Sequence, residues 1–318
     1  MKLPLDIRDL MTSGAKLRTE RESPVRIAVF VDVDAPDELV NAVQAALRPQ
    51  TSGARLHVEA CAPGEALIID ESSDAVVAIT GPGTTLARSL SAARERFIPT
   101  IVLALGEHAD DVSTRLAHPL LDTHADDDAA AVVRVLGTWL ADRVSAKRLA
   151  LATNFSFVRR AVAEESVKAT AFQNGIIGAV AIIPGTDMPL MTANQAKMVL
   201  QIAAAYGEAL GAERVKELVA VVGGGFAFRT IARQALAFIP GFGWAVKGAI
   251  GYSGTLAMGY AAIEYFETGG DVSGLSAKLR EARDHALQVA DKARGRLGAA
   301  RGDVIPVDAS GAHGESQL

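Results

Sequence analysis

At 318 residues the chain is long enough for two domains, each with its own core. A formal net charge of −5 argues against nucleic-acid binding as its principal role, and the single cysteine, Cys61, excludes an internal disulfide and a cysteine-built zinc site. Hydrophobic residues make up 49% of the chain and aromatics only 5%, at a mean hydropathy of +0.21, so the apolar mass is small side chains that let helices approach closely.

Residues 1–24 form an N-terminal extension in which charged and apolar residues alternate with no long apolar core. It does not have the pattern of a signal peptide, so the first domain is expected in the cytoplasm. Over residues 25–144 short β-branched runs alternate with helical patterns. Arg26–Val33 reads as a strand, and Pro36–Leu47 follows as a helix with proline at its start and Asp37 and Glu38 in its first turn. Arg55–Ala60 and Ala75–Thr80 are further strands, Thr84–Arg96 is a helix, Thr100–Leu105 is a strand behind Pro99, and Asp127–Arg143 is a helix. Cys61 is expected to be a buried strand cysteine. Strands alternating with helices predict βαβ units and a mainly parallel sheet, a Rossmann-like α/β domain.

From Ser145 the pattern turns helical. Residues 145–171 read as one connecting helix, with Arg159, Arg160, Glu164, Glu165 and Lys168 on its polar side. Residues 172–268 are apolar, rich in glycine and alanine, and broken twice by the same tripeptide, Ile183-Pro184-Gly185 and Ile239-Pro240-Gly241. Apolar runs flank both breaks: Ile176–Ile183 and Met188–Tyr206 around the first, Leu236–Ile239 and Trp244–Ala262 around the second. Proline cannot continue a helix without losing a backbone hydrogen bond, and glycine ends one readily, so two helix–break–helix hairpins are expected. Residues 269–294 form a charged helix with a heptad-like seam of Leu275, Leu279, Ala282, Ala286, Val289 and Ala293, read as packing on its own domain. Residues 295–318 are polar and expected to be disordered. The fold class expected is an α/β Rossmann-like N-terminal domain plus an all-α helical-hairpin C-terminal domain.

The text Ile182-Ile183-Pro184-Gly185-Thr186-Asp187-Met188-Pro189, with Gln195, Lys197-Met198, Glu217-Leu218, Gly223-Gly224-Gly225-Phe226 and Ile239–Lys247, carries a resemblance. Over Phe172–Glu267 the chain resembles a bacterial domain of unknown function found behind Era-like GTPase domains and in YcjF-type inner-membrane proteins. The resemblance implies a GTPase-like domain ahead of it and a place at the inner face of the membrane. Yet where a phosphate-binding loop would follow the first strand, the chain reads Val31-Asp32-Val33-Asp34-Ala35-Pro36-Asp37, with no glycine, no lysine and three carboxylates that repel a triphosphate. After Thr100–Leu105, where guanine recognition would use Asn-Lys-x-Asp, it reads Gly106-Glu107-His108-Ala109-Asp110. A GTPase-like domain here lacks the machinery of hydrolysis.

The remaining polar clusters have structural readings. Gly223–Gly225 lacks a following Lys-Ser/Thr, so a helix break or close packing is preferred to phosphate binding. His118, Asp122, His124 and Asp126–Asp128 make an acidic segment; a loop gathering a divalent ion is one reading, and Asp126–Asp128 at the N-terminus of the next helix is the simpler one. Asp32, Asp34 and Asp37 lie where open α/β sheets bind ligands, and a solvated turn is preferred to a magnesium site. Asp187 is placed to cap the helix starting near Pro189. Lys197, Arg229, Arg233 and Lys247 are charges in the apolar region that either pair with Asp187, Glu208, Glu217 or Glu264 or meet lipid phosphates. Gly248, Gly251 and Gly254 recur every three residues, a spacing for close helix contact.

A spanning helix needs about 20 mostly apolar residues. Phe242–Ile263 has the length but contains Lys247, and Leu218–Ile239 contains Arg229 and Arg233, so one span or a shallow hairpin is the most the residues support. The residues Pro184, Gly185, Asp187, Pro240, Gly241, Gly251 and Gly254 are assigned structural roles; no catalytic residue, metal site or cofactor is assigned. The expected function is that of a non-enzymatic, membrane-associated or assembly protein, partnered by a membrane surface, a GTPase or a second copy, and not by nucleic acid. The alternatives are a nucleotide- or metal-binding switch using the strand-end carboxylates, and a soluble oligomeric scaffold.

Overall fold

The computed structural model describes residues 7–61, 67–81, 90, 97–106, 121–180, 187–208, 210 and 243–269. All lie within one compact unit, Met1–Asp271. The expected helix Thr84–Arg96, the Ile-Pro-Gly tripeptides themselves, Gly223–Gly225, Arg229, Arg233, the heptad-like helix and the tail lie outside the described residues.

Five parallel strands form one sheet in the order β2-β1-β3-β4-β5: β1 Val25–Asp32, β2 Ala54–Cys61, β3 Ala75–Ile79, β4 Thr100–Leu105 and β5 Leu121–Asp126. The β-branched runs form strands because both sheet faces are covered, which favours continuous apolar segments over alternation. Ala28, Phe30, Val76, Ala78, Val102 and Ala104 face one side, in a cluster with Leu67, Ile69, Leu90 and Ile98. Helices α2 (Asp37–Ala46) and α3 (Ala129–Arg143) pack together, and α3 also packs on β4 and β5; both bring buried leucines and valines, among them Leu39, Val43, Leu136 and Leu140. The amino ends of the strands are tied down by Lys147, whose Nζ lies 2.7 Å from Asp74 Oδ1 and donates to the Pro24 carbonyl at 2.7 Å. Asp74 also accepts from the Arg26 amide at 2.8 Å, so one ion pair links the sheet to the helical region.

Two elements depart from the sequence expectation. Residues Ile7–Arg21 are a helix, α1, held to the helical region by Arg21, which donates to the Glu208 carbonyl at 2.9 Å. Residues 145–171 are not one helix. A 3-10 turn at Ser145–Lys147 leads into α4 (Arg148–Asn154), a second 3-10 turn follows at Ser156–Val158, and α5 runs Arg159–Val180, past the expected end. The break falls at Asn154, whose side chain donates back to the Ala150 carbonyl at 2.8 Å and accepts from Thr51 Oγ1 at 2.6 Å, while its carbonyl accepts from the Gln50 amide at 2.9 Å. Phe155 then turns extended and is fully buried. A long-range anchor to the loop before β2 thus ends a helix that local propensity would continue.

Helix α6 (Asp187–Ala205) follows α5, and α7 (Gly243–Glu267) completes the described helices. Asn174, six residues from the end of α5, bonds to Met191 and Asn194 near the start of α6, so the two helices are antiparallel. Ile176–Val180 of the apolar run ahead of Pro184 is the last part of α5, and Asp187 is the first residue of α6. Helix α7 lies antiparallel along α5 over most of its length. Gly248 faces Ala179, Gly251 faces Asn174, Gly259 faces Val167, and Arg160 reaches Glu267 at 2.8 Å.

Candidate functional site

The strand order reverses direction between β1 and β3, and the crevice outside their carboxyl ends is where sheets of this kind hold ligands. Asp32 ends β1 and Thr80 follows β3, so pairing of the two strands brings these residues together; Thr80 Oγ1 donates to Asp32 Oδ2 at 3.4 Å. Asp32 is only 2% exposed and Thr80 4%, which corrects the expectation of a solvated turn at Asp32. Asp34 and Asp37 are exposed as expected, Asp37 opening α2. The link from β1 to α2 is Val33–Pro36, tightened by a bond from the Ala35 amide to the Asp32 carbonyl at 3.0 Å. A phosphate-binding loop must wrap its amides around an anion, and this link has neither the glycines nor the length to do so.

Gly81 shows what occupies the crevice mouth. A Cβ built there would collide with the backbone carbonyl of Asp34, so the turn after β1 and the chain leaving β3 meet backbone to backbone. Glycine is required at this position because only it permits the approach. Asp32 and Thr80, two residues and one residue from this contact in the chain, are both buried.

The acidic segment is a strand, β5, and not a loop, which the sequence reading missed. Asp122, His124 and Asp126 at alternate positions mask the strand pattern, and the partners of Asp122 come from α3. Asp122 accepts from Trp139 Nε1 at 2.6 Å and pairs with Arg143 at 2.9 Å. Asp126 accepts from the Asp128 amide at 3.1 Å, and Asp128 caps α3 by accepting from the Ala130 amide at 2.9 Å. His124 has a buried Nε2 without a hydrogen-bond partner among the described residues, which also contain no cluster of three or more metal-ligating side chains.

In the helical region a buried polar cluster joins three helices. Thr255 Oγ1 of α7 accepts from Asn174 Nδ2 of α5 at 3.0 Å and from Gln195 Nε2 of α6 at 2.8 Å, and donates to the Gly251 carbonyl at 2.7 Å. Asn174 also donates to the Met191 carbonyl at 3.3 Å and accepts from Asn194 Nδ2 at 3.0 Å. Nothing in the sequence reading pointed to this cluster, because its members are scattered over three segments.

A second polar group closes the other end of the α5–α7 pair. Glu267 accepts from the Tyr206 hydroxyl at 2.8 Å and pairs with Arg160, which also pairs with Glu164 at 3.0 Å. Desolvation, then the bond to the Glu267 carboxylate, holds the Tyr206 phenol well above its ordinary pKa of 10.0. A raised folded-state pKa contributes stability that is present below the unfolded value and is lost as pH rises beyond it. Stability is therefore expected to fall above about pH 10, the ordinary phenol range, and to fall less steeply in Tyr206→Phe. Denaturant melts of both proteins at neutral and alkaline pH check this; parallel pH profiles would remove Tyr206 from the account.

The outer face of the α5–α7 pair is apolar and exposed. Phe172 (64% exposed), Ile176 and Val180 (68%) form an i, i+4, i+8 ridge on α5, opposite the side holding Val167, Asn174 and Gly178. Tyr252 and Tyr260 of α7 are exposed too, and Leu190 is exposed on α6. Among the described residues no helix is long and apolar enough to cross a membrane. Gly251 is buried against α5 and Gly254 is half-buried on α7; the side chains of Asp187 and Lys247 lie outside the described set.

Fold and site define a parallel α/β sheet continuous with a glycine-packed helical assembly, with Gly81 against Asp34 at its switch point and an exposed apolar ridge on α5. No protein-family model, curated protein or solved structure matches the chain.

Proposed function

We propose that the chain is a non-enzymatic docking and assembly protein. In this reading a Rossmann-like, GTPase-like domain without hydrolytic machinery is joined to an all-α helical-hairpin domain that associates with the inner face of a membrane. The observation that carries the proposal is the exposed, uncharged apolar ridge Phe172–Ile176–Val180 on a helix whose opposite side is already packed. Support for the absence of catalysis comes from the contact of Gly81 with Asp34 at the strand ends and from the lack of glycine or lysine between β1 and α2. Phosphoryl transfer relies almost wholly on positioning and electrostatic stabilisation, and three carboxylates supply the wrong sign.

Two measurements test the proposal. Expressed protein is expected in the membrane fraction, and purified protein is expected to show no magnesium-dependent GTP hydrolysis. Recovery solely in the soluble fraction would overturn the membrane reading. GTPase activity abolished by Asp32→Ala would overturn the non-enzymatic one.

A further inference from the structure

We infer that the α5–α7 face docks on the acyl-chain boundary of a lipid monolayer through apolar contact, independent of anionic headgroups. This rests on the membrane reading above and adds the chemistry of the lipid that is recognised. From Ala169 to Val180 and from Gly248 to Ile263 the chain carries no charged residue. The antiparallel register brings these two stretches side by side, since Gly248 meets Ala179 and Gly175 meets Tyr252.

The exposed residues fall on one flank. Tyr252 and Tyr260 each follow by one residue a glycine buried against α5, so both stand on the same side of α7. A Cβ on Gly175 would lie 3.2 Å from Tyr252 Cβ, and Gly175 adjoins Ile176 on the side of α5 turned away from Asn174. The α5 ridge and Tyr252 thus border one surface, with Tyr260 two turns further along α7. Phe172 to Val180 spans about 12 Å at the helical rise, enough for a side-on, shallow contact. Tyrosines with apolar rings and polar tips suit the boundary between headgroup and acyl chain.

Electrostatics argues against headgroup capture. The charged half of α5 lies at the other end of the pair and is internally matched, with Arg160 and Lys168 on Glu164 and Arg160 also on Glu267. Among the described residues the basic side chain in line with the ridge is Lys168, one turn before Phe172 and already on Glu164, and the chain is net acidic at −5, so an anionic surface offers little attraction. Apolar insertion is insensitive to screening, whereas headgroup attraction is not.

Flotation of the full chain tests this with neutral phosphatidylcholine vesicles and with vesicles also containing phosphatidylglycerol, at low and high salt. The protein is expected to float equally with both and to remain bound at high salt. The double variant Phe172→Glu/Ile176→Glu, at two exposed positions, is expected to lose binding to both. Val58→Glu, at an exposed site on β2, is expected to keep it. Flotation with anionic vesicles alone, reversed by salt, would overturn this inference and leave the membrane reading standing. Flotation with neither vesicle would overturn both. If, in that case, the double variant also turned an oligomer into a monomer, the face would belong to a second copy of the chain.

Discussion

Gly251→Leu is expected to lower thermal stability markedly, and more than Gly251→Ala. An added Cβ at this site would lie 2.5 Å from the Asn174 carbonyl oxygen and 2.6 Å from Met191 Cε. The methionine methyl can swing aside, but the carbonyl belongs to the backbone of α5 and moves only if the helices part. Overpacking of this kind costs about 1–3 kcal/mol, against about 1 kcal/mol gained by replacing glycine inside a helix. Alanine should therefore lose little and leucine up to about 2 kcal/mol. Gly259→Leu should behave alike, since its Cβ would overlap the Val167 methyl groups. Gly254→Leu, at a half-buried position, is expected to lose less. Thermal melts of the set decide it; unchanged stability for Gly251→Leu would mean that α5 and α7 are not held this closely.

Thr255→Val is the second large effect expected. The substitution keeps the volume and removes one hydroxyl that accepts from two buried amides and donates to the Gly251 carbonyl. Gln195 Nε2 loses the acceptor on α7, and Asn174 Nδ2 is left with the longer bond to Met191. Orphaning a buried donor costs about 1–3 kcal/mol, so the loss should reach about 2 kcal/mol, with Thr255→Ser retaining most of the stability. Chemical denaturation of the two variants checks both. Equal losses for Val and Ser would assign the effect to packing of the methyl group, and no loss for Val would show that the polar cluster is replaceable by apolar contact.

Much of the sheet was legible because β1, β3 and β4 are buried on both faces. Ala75–Ile79 is wholly apolar, Thr100–Leu105 is so after Thr100 and Val25–Asp32 between Arg26 and Asp32, and such runs flanked by turns have few alternatives to a parallel strand. Strand β5 was hidden because Leu121–Asp126 carries two aspartates and a histidine at alternate positions, and the groups answering Asp122, Trp139 and Arg143, lie on the next helix. The break at Asn154 was hidden for a similar reason, since its partners Gln50 and Thr51 are about 100 residues away in the chain.

The candidate site divides the same way. The sequence alone determined that no phosphate-binding chemistry follows the first strand, because that chemistry needs particular residues at adjacent positions and they are missing. It also determined that helices rich in glycine and alanine would pack closely, a property of side-chain size. Only the tertiary structure decided that Asp32 is buried while Asp34 meets Gly81, and that Gly251 meets Asn174 while Phe172, Ile176 and Val180 stay exposed. Periodicity reports which residues share a face of one helix. Which face is covered, and by what, depends on contacts between segments distant in the chain, and no local pattern encodes them.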